Sequence, residues 1–289
     1  MKFVTYNYNG TEYVGVLTND ETSVIPASEF GLKAGSMLEL IKELDGSYPA
    51  TPTQAKSIAL SAVKLEAPIP EPRQDVICLG LNYRDHVEEA TRADAVFDVQ
   101  RGDAVYFSKR LQRAVAPGGE IDGHFDICDS LDYEVELGVI IGRDAKNVKA
   151  ADAGKYIFGY TIINDVSARN LQTRHKQWYF GKSLDDFTPM GPCILSADEV
   201  GAMPELDIRC YVNGEKRQDS NTRMMIFDIP YIIEELSAGM TLKAGTVIAT
   251  GTPSGVALGM PPEVQKYLES GDVVRCEIDG IGVLENTIA

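Results

Sequence analysis

Several residue types are scarce in this chain, and each scarcity removes a class of protein. The five cysteines, Cys78, Cys128, Cys193, Cys210 and Cys276, are odd in number, far apart and free of any C-x-x-C pair. That pattern excludes a disulfide framework and a thiolate zinc site, and the residues read as small hydrophobes of a reducing compartment. Only three histidines are present, His86, His124 and His175. Basic residues are also few: 27 Lys and Arg face 43 Asp and Glu, a net charge of −16. This is the wrong sign for a nucleic-acid or anionic-membrane surface, and it leaves metal cations as natural partners. Small anions remain partners only where local charge overrides the global field. No stretch approaches 18 uninterrupted apolar residues, and Met1 to Gly10 lacks the apolar segment of a secretory leader, so a cytoplasmic protein is expected.

What is present is an ordinary globular balance, 44% hydrophobic and 24% charged over 289 residues, which supports a full core in one or two domains. Residues 1–25 are rich in Val, Thr and Tyr, and Asn9-Gly10 and Asn19-Asp20 punctuate them as hairpin turns. Ser36-Met-Leu-Glu39 matches a capping box ahead of Leu38, Leu40, Ile41 and Leu44, which predicts a short helix. A second helix is expected from Thr53 to Ala62. Alternating prolines in Ala67-Pro-Ile-Pro-Glu-Pro72 forbid helix and regular sheet, and mark a boundary between a small N-terminal domain (1–70) and the remainder (71–289). Beyond it strand-like segments recur: 76–79, 104–107, 133–141, 156–163, 206–212, 246–250 and 273–278. Few long helical patterns occur there beyond Tyr83–Ala93 and Ile229–Leu236. The expected fold is mostly β (α+β), not a doubly wound sheet.

The most informative segment is Leu131-Asp-Tyr-Glu134-Val-Glu136-Leu-Gly-Val-Ile-Ile141. In a strand, Tyr133, Val135, Leu137, Val139 and Ile141 share one face, and Glu134 and Glu136 share the other, about 6.6 Å apart. Adjacent carboxylates raise one another's pKa unless a positive charge sits between them. Alone, the pair reads as a solvent-washed strand face. A third acid, Asp165, stands where the strand-like Tyr160-Thr-Ile-Ile-Asn164 meets a loop, and three carboxylates from two β elements can ligate a hard divalent ion. Without a histidine or thiolate cluster the ion is Mg²⁺, Mn²⁺ or Ca²⁺.

His86 and Glu89 are three residues apart on a helical stretch, hence neighbours on one face. A carboxylate orients an imidazole and raises its basicity, which suits activation of water; an exposed acidic helix with an incidental histidine explains the same letters. His124 and His175 carry no assigned role. Gly181-Lys182-Ser183 ends like a Walker motif, but Lys176 stands where its first glycine is required. Lys182 is left as a cation able to face a substrate carboxylate or an oxyanion. Thr250-Gly-Thr252-Pro-Ser-Gly255 follows a β-run and offers free backbone N–H groups, or simply a tight turn.

Six motifs occur in order: Gly80-x-Asn82-Tyr83-x-x-His86-x-x-Glu89, Asp132-Tyr-Glu134-x-Glu136-Leu, Gly159-Tyr-Thr-x-x-Asn164-Asp165-x-Ser167-Ala-Arg169, Gly181-Lys182-Ser183, Ser220-Asn-Thr222 and Thr250-Gly-Thr-Pro-Ser-Gly255. Together they resemble the fumarylacetoacetate hydrolase family over roughly residues 75 to 288, nearest its shorter bacterial branch of acylpyruvate hydrolases, homoprotocatechuate-pathway isomerase/decarboxylases and diketo-sugar-acid hydrolases. The resemblance implies a mixed β-roll catalytic domain and a homodimer. It implies Mg²⁺ or Mn²⁺, or Ca²⁺ as in some members, on Glu134, Glu136 and Asp165. By the same token His86 and Glu89 form a water-activating pair on a lid, Lys182 faces developing negative charge, Gln172 and Thr252 contact substrate, and Arg169 stands between structural and binding roles. The implied reaction is hydrolytic C–C cleavage of a β-diketone acid such as an acylpyruvate; the alternative is decarboxylation or enol–keto isomerisation of a 2-oxo acid at the same metal site. Two departures stand out: Asn170 where the family often has Asp, and Phe107-Ser-Lys109-Arg110 where it often has Phe-x-Lys-Pro. The second is expected to border the substrate.

Overall fold

The structure is a computed structural model that describes residues 1–92 and 102–289. Its largest element is an eleven-stranded mixed sheet. From one edge it runs Ile58–Ala59, Ser23–Pro26, Thr11–Leu17, Lys2–Tyr8, Met190–Ser196, Ile157–Asn164, Val135–Ile141, Val247–Ala249, Val76–Gly80 and Val105–Lys109, with Lys64–Leu65 also pairing to Lys2–Tyr8. Neighbours are antiparallel except Val247–Ala249 beside Val76–Gly80. A second sheet of five strands runs Glu215–Asn221, Asp207–Val212, Val273–Ile278, Gly282–Ile288 and Glu120–Ile121. The mostly β class expected from the sequence is the one found.

Both faces of the large sheet are covered, which is why its central strands read as unbroken apolar runs instead of alternating ones. Leu137, Val139, Tyr160 and Ile162 face the second sheet and meet Ile208, Cys210, Cys276 and Leu284. Ile140, Phe158 and Ile163 point the other way, into a layer with Phe3 and with Met37, Leu40 and Ile41 of the helix Met37–Leu44. That helix starts at Ser36, whose Oγ accepts from Glu39 N at 3.3 Å; the Glu39 carboxylate accepts from Gly35 N at 2.7 Å, one residue before the cap. The Asn9-Gly10 hairpin forms as expected, with φ of 54° and 82° at its two central residues, the left-handed pair that a right-twisted two-residue turn demands. All five cysteines are buried and unbridged.

One expected element is absent. Residues 53–62 form no helix; Ile58–Ala59 is a two-residue strand paired with Ser23–Pro26, followed by a 3₁₀ turn at Leu60–Ala62. A short polar-apolar stretch has little helical stability of its own, and the exposed backbone of an edge strand captures it. The helix read over Tyr83–Ala93 is present as Arg84–Arg92, and Ala93 lies outside the described residues. Among the described residues no helix is long and apolar enough to cross a membrane.

Strands Ile157–Asn164 and Met190–Ser196 approach unusually closely at Gly159. A Cβ there would lie 2.2 Å from the Leu195 carbonyl oxygen and 2.7 Å from Ile194 Cγ2. Backbone oxygen cannot retreat without breaking the ladder, so Gly159→Ala is expected to destabilise the fold by about 1–3 kcal/mol, the usual range for overpacking. Thermal unfolding against Gly102→Ala, whose Cβ meets nothing within 4 Å, is the check. Equal midpoints for the two variants would contradict the close approach.

Candidate metal centre and active site

The acidic residues meet because two strands end side by side. Glu134 immediately precedes the strand Val135–Ile141, and Asp165 immediately follows its antiparallel neighbour Ile157–Asn164. Asn164 fixes the junction: its Oδ1 accepts from Glu134 N at 3.0 Å, while Asp165 N donates to the Glu134 carbonyl at 2.8 Å. Glu136 shares the face of Glu134, as the strand period requires. Ligand oxygens of Glu134, Glu136 and Asp165 lie within 4.8 Å of one another. All three residues are buried, Glu136 and Asp165 completely, so the solvent-washed strand face is excluded.

Cations surround this cluster unevenly. Lys182 Nζ donates at 2.8 Å to both Glu134 Oε2 and Asp165 Oδ2. Arg169 Nη2 lies 2.7 Å from Glu134 Oε1 and 2.8 Å from Asp132 Oδ2. Lys109 Nζ lies 2.7 Å from Asp165 Oδ1. Glu136 receives only the Gly251 N–H, at 2.8 Å, and its Oε1 has no hydrogen-bond partner among the described residues. The titration behaviour follows. Burial alone would raise the Glu134 carboxyl, but Lys182 and Arg169 outweigh it and hold it at about 2. Burial, and then the charges of Asp165 and Glu134, push Glu136 well above the ordinary carboxylate range. Burial works against the Lys182 charge, yet Asp165 and Glu134 raise its pKa overall.

A divalent cation fits this donor set. Three hard oxygen donors converge, two of their buried oxygens (Glu136 Oε1 and Asp165 Oδ1) lack a hydrogen-bond partner among the described residues, and the buried acids Asp132, Glu134, Glu136 and Asp165 exceed the buried bases Lys109, Arg169 and Lys182 by one.

Beside the cluster lies a narrow cleft of about 30 Å³, lined by His86, Glu134, Arg169, Gln172, Lys182 and Thr252 and walled by Phe107 and Trp178, whose rings meet edge-on at 5.2 Å. A far larger concavity, about 990 Å³ around Met1, Lys2 and Glu21, contains none of the residues singled out from the sequence. The small cleft is the one with chemistry. His86 Nδ1 lies 3.1 Å from Glu89 Oε2, and Glu89 Oε1 accepts from Gly255 N at 2.9 Å. Gly255 has φ +103°, and a Cβ there would sit 1.9 Å from the Arg217 carbonyl oxygen, so glycine is the residue that lets this N–H reach Glu89.

The structure thus brings His86, Glu89, Glu134, Glu136, Asp165, Gln172, Lys182 and Thr252 into one region. Arg169 does structural work there, binding Asp132 through Nε and Gln172 Oε1 through Nη1, and it also lines the cleft. The Thr252 hydroxyl already donates to the Val135 carbonyl and accepts from Gln218. The Lys109-Arg110 departure divides: Phe107 walls the cleft, Lys109 turns inward to Asp165, and Arg110 is exposed. His124 and His175 stay apart, the first against the Asp185 carbonyl and the second against the Phe180 ring. Two positions gain roles the sequence did not disclose. Asp85 Oδ2 accepts from Ser220 Oγ at 3.1 Å and Ser254 Oγ at 3.2 Å, and Asn82 bonds the backbone at Thr250 and Phe227. Both pin the helix that carries His86. Asn82 was signalled only by its place in a motif and Asp85, on an unspecified position of it, not at all, since a buried amide and an aspartate on a helix predict no partner by themselves.

This sheet architecture and this acidic centre belong to a known class of enzyme. The profile described as fumarylacetoacetate (FAA) hydrolase C-terminal matches residues 75–289, and the chain belongs to that enzyme family. Among its relatives, oxaloacetate tautomerase YisK of Bacillus subtilis is 40% identical, with all of both chains covered. Among solved structures, the fumarylacetoacetate hydrolase of Exiguobacterium antarcticum superposes with a TM-score of 0.86 at 38% identity, covering 100% of this chain and 99% of that one. Maleylpyruvate hydrolase of Sphingobium sp. SYK-6, in complex with manganese(II) and pyruvate, superposes with a TM-score of 0.77 at 28% identity over 100% and 99% of the chains.

The imbalance at Glu136 makes a signed prediction for the metal-free protein. Its raised pKa stabilises the fold below the ordinary carboxylate value, and that contribution is lost as pH rises toward the raised value. Glu136→Gln removes the dependence, so the variant is expected to gain on the wild type in thermal midpoint as pH goes from 5 to 8, reaching at least ~2 °C. Added Mn²⁺ should raise the wild-type midpoint and leave the variant nearly unmoved. A variant that loses stability steadily against the wild type over this range would contradict the assigned charge state.

Proposed function

We propose that the chain is a divalent-metal-dependent enzyme that interconverts the keto and enol forms of a small 2-oxo acid, with Mg²⁺ or Mn²⁺ as the metal and Ca²⁺ as a third candidate. The observation that carries this reading is the His86–Glu89 pair. With Nδ1 engaged by Glu89, the other imidazole nitrogen, Nε2, is left as the base on a ring that lines the same cleft as Lys182 and Glu134. The similarity to an oxaloacetate tautomerase along the whole chain favours proton transfer as the outcome.

A divalent ion held by Glu134, Glu136 and Asp165 supplies Lewis-acid polarisation of the substrate's 2-oxo group. In the keto-to-enol direction His86 Nε2 takes a proton from the carbon beside that group, the C–H pair becoming the C=C bond, and gives it to the 2-oxo oxygen; the reverse transfer restores the ketone, and Glu89 stabilises the imidazolium formed meanwhile. The Lys182 ammonium, kept charged by its carboxylate neighbours, faces the oxygen on which negative charge develops. Gln172 turns Oε1 toward Arg169, which leaves its amide N–H₂ as a donor for a substrate carboxylate. Trp178 and Phe107 wall the cleft and limit water, which would otherwise compete for the enolate proton. The exposed Arg174 and Lys176 follow Gln172 by two and four residues, a local cationic face in a chain of net charge −16.

Hydrolytic C–C cleavage is the second reading, favoured by the structural similarity to a maleylpyruvate hydrolase. Here His86 Nε2 deprotonates a water that attacks the distal carbonyl of an acylpyruvate, and the leaving enolate meets the same Lys182. Decarboxylation of a 2-oxo acid uses the same enolate without that water.

Spectroscopic decay of enol-oxaloacetate, with product analysis for acetylpyruvate and oxaloacetate, separates the reactions. Accelerated enol loss without pyruvate or acetate supports tautomerisation; acetate and pyruvate from acetylpyruvate would transfer the assignment to hydrolysis. His86→Ala is expected to lower the rate by about 10²–10⁴-fold while Mn²⁺ affinity persists. Undiminished turnover in that variant would reject His86 as the base.

A further inference from the structure

Lys109 is a buried cation that the reaction above leaves without a task. It closes the strand Val105–Lys109, at the edge of the large sheet, and none of its surface is exposed. It does not line the cleft. Its ammonium has three hydrogens to donate and three acceptors around it: Asp165 Oδ1 at 2.7 Å, the Val166 carbonyl at 2.9 Å and the Lys182 carbonyl at 2.5 Å. The Phe187 ring packs over it at 5.8 Å. A charge enclosed to this degree is costly unless it is paired, and here two hydrogen bonds to main-chain carbonyls and the ion pair with Asp165 offset its burial.

The acceptors are not a random set. Asp165 is a candidate metal ligand, Val166 is its chain neighbour, and Lys182 is the cation of the cleft. Asp165 is therefore gripped on both oxygens by lysines arriving from different elements, Lys109 on Oδ1 and Lys182 on Oδ2. Only the second of these lines the cleft. If Lys182 engages a substrate oxygen, its hold on Asp165 weakens, and Lys109 remains as that carboxylate's partner.

We propose that Lys109 is a positioning residue of the metal centre: it fixes the orientation of the Asp165 carboxylate and the main chain at Lys182, so that a divalent cation meets a preformed set of three acids and Lys182 is free for substrate. The proposal rests on reading Glu134, Glu136 and Asp165 as metal ligands and is independent of which reaction the cleft performs.

Electrostatics alone gives the opposite sign from positioning, which makes the idea sharp. Deleting a positive charge beside a cation site should, by Coulomb's law, tighten cation binding. Loss of a positioning contact should weaken it, by about 10–100-fold for outer partners of metal ligands. The experiment is Mn²⁺ titration of the full chain, by calorimetry and by electron paramagnetic resonance, for wild type, Lys109→Met and Lys109→Arg. The expected order of dissociation constants is wild type, then Lys109→Arg, then Lys109→Met, the last about 10–100-fold above wild type, with an altered Mn²⁺ spectrum in both variants. Binding by Lys109→Met as tight as wild type, or tighter, overturns the proposal.

Should Lys109→Met fail to fold, Lys109→Arg decides. It keeps the charge, but its planar fork cannot reproduce the three contacts, so wild-type affinity and spectrum in that variant overturn the proposal equally. A wild-type chain that does not take up Mn²⁺ overturns the metal reading itself, an outcome distinct from any difference between variants.

Discussion

Glu136 is the residue on which the centre depends, because among the described residues it is the one buried carboxylate with no ion-pair partner. Its neighbours are provided for: Glu134 has Lys182 and Arg169, Asp165 has Lys182 and Lys109, and Asp132 has Arg169. Glu136 has a single backbone N–H. Burying an acid under such conditions costs several kcal/mol in general, and proteins rarely leave the debt standing without a functional reason. The strand Val135–Ile141 cannot turn this side chain away, since a one-residue slip would carry Val135, Leu137 and Val139 out of the interface between the sheets. Core packing and the acidic centre are thus two faces of one register.

The same economy would let an acidic protein take an anionic ligand of the kind proposed. All ionised, the seven buried charges leave a single negative excess, and a divalent ion reverses the sign locally. A cluster loaded in that way would favour anions, a preference that the net charge of −16 does not suggest.

Much of this was legible from the sequence for identifiable reasons. The period of two placed Glu134 and Glu136 on one face before any coordinates, and Asn9-Gly10 announced its hairpin because few other residues tolerate that backbone. The strands Met190–Ser196, Glu215–Asn221 and Gly282–Ile288 went unread for different reasons. The first includes Gly191 and Pro192, which argue against a strand locally. The second is Glu-Lys-Arg-Gln-Asp-Ser-Asn, an edge strand whose composition is that of a loop and whose pairing with Asp207–Val212 is supplied from outside. The segment 53–62 shows the converse, a helical pattern overruled by an available edge. At the site, the identity of the acids was readable, but their burial and the allotment of cations among them were not, because both depend on elements 35 to 56 residues apart in the chain.

The turn Thr250–Gly255 has a consequence for how such a molecule can change over time. Its first glycine, Gly251, donates to Glu136, and its last, Gly255, donates to Glu89. One short length of backbone is therefore anchored at both ends to side chains with separate proposed duties, ion capture and proton traffic. An insertion or deletion of one residue there would disturb both duties in a single mutational event, with no intermediate that keeps either. Diversification toward new acids has an easier route through Phe107, Gln172 and Trp178, where a changed side chain alters the room available without moving that anchor.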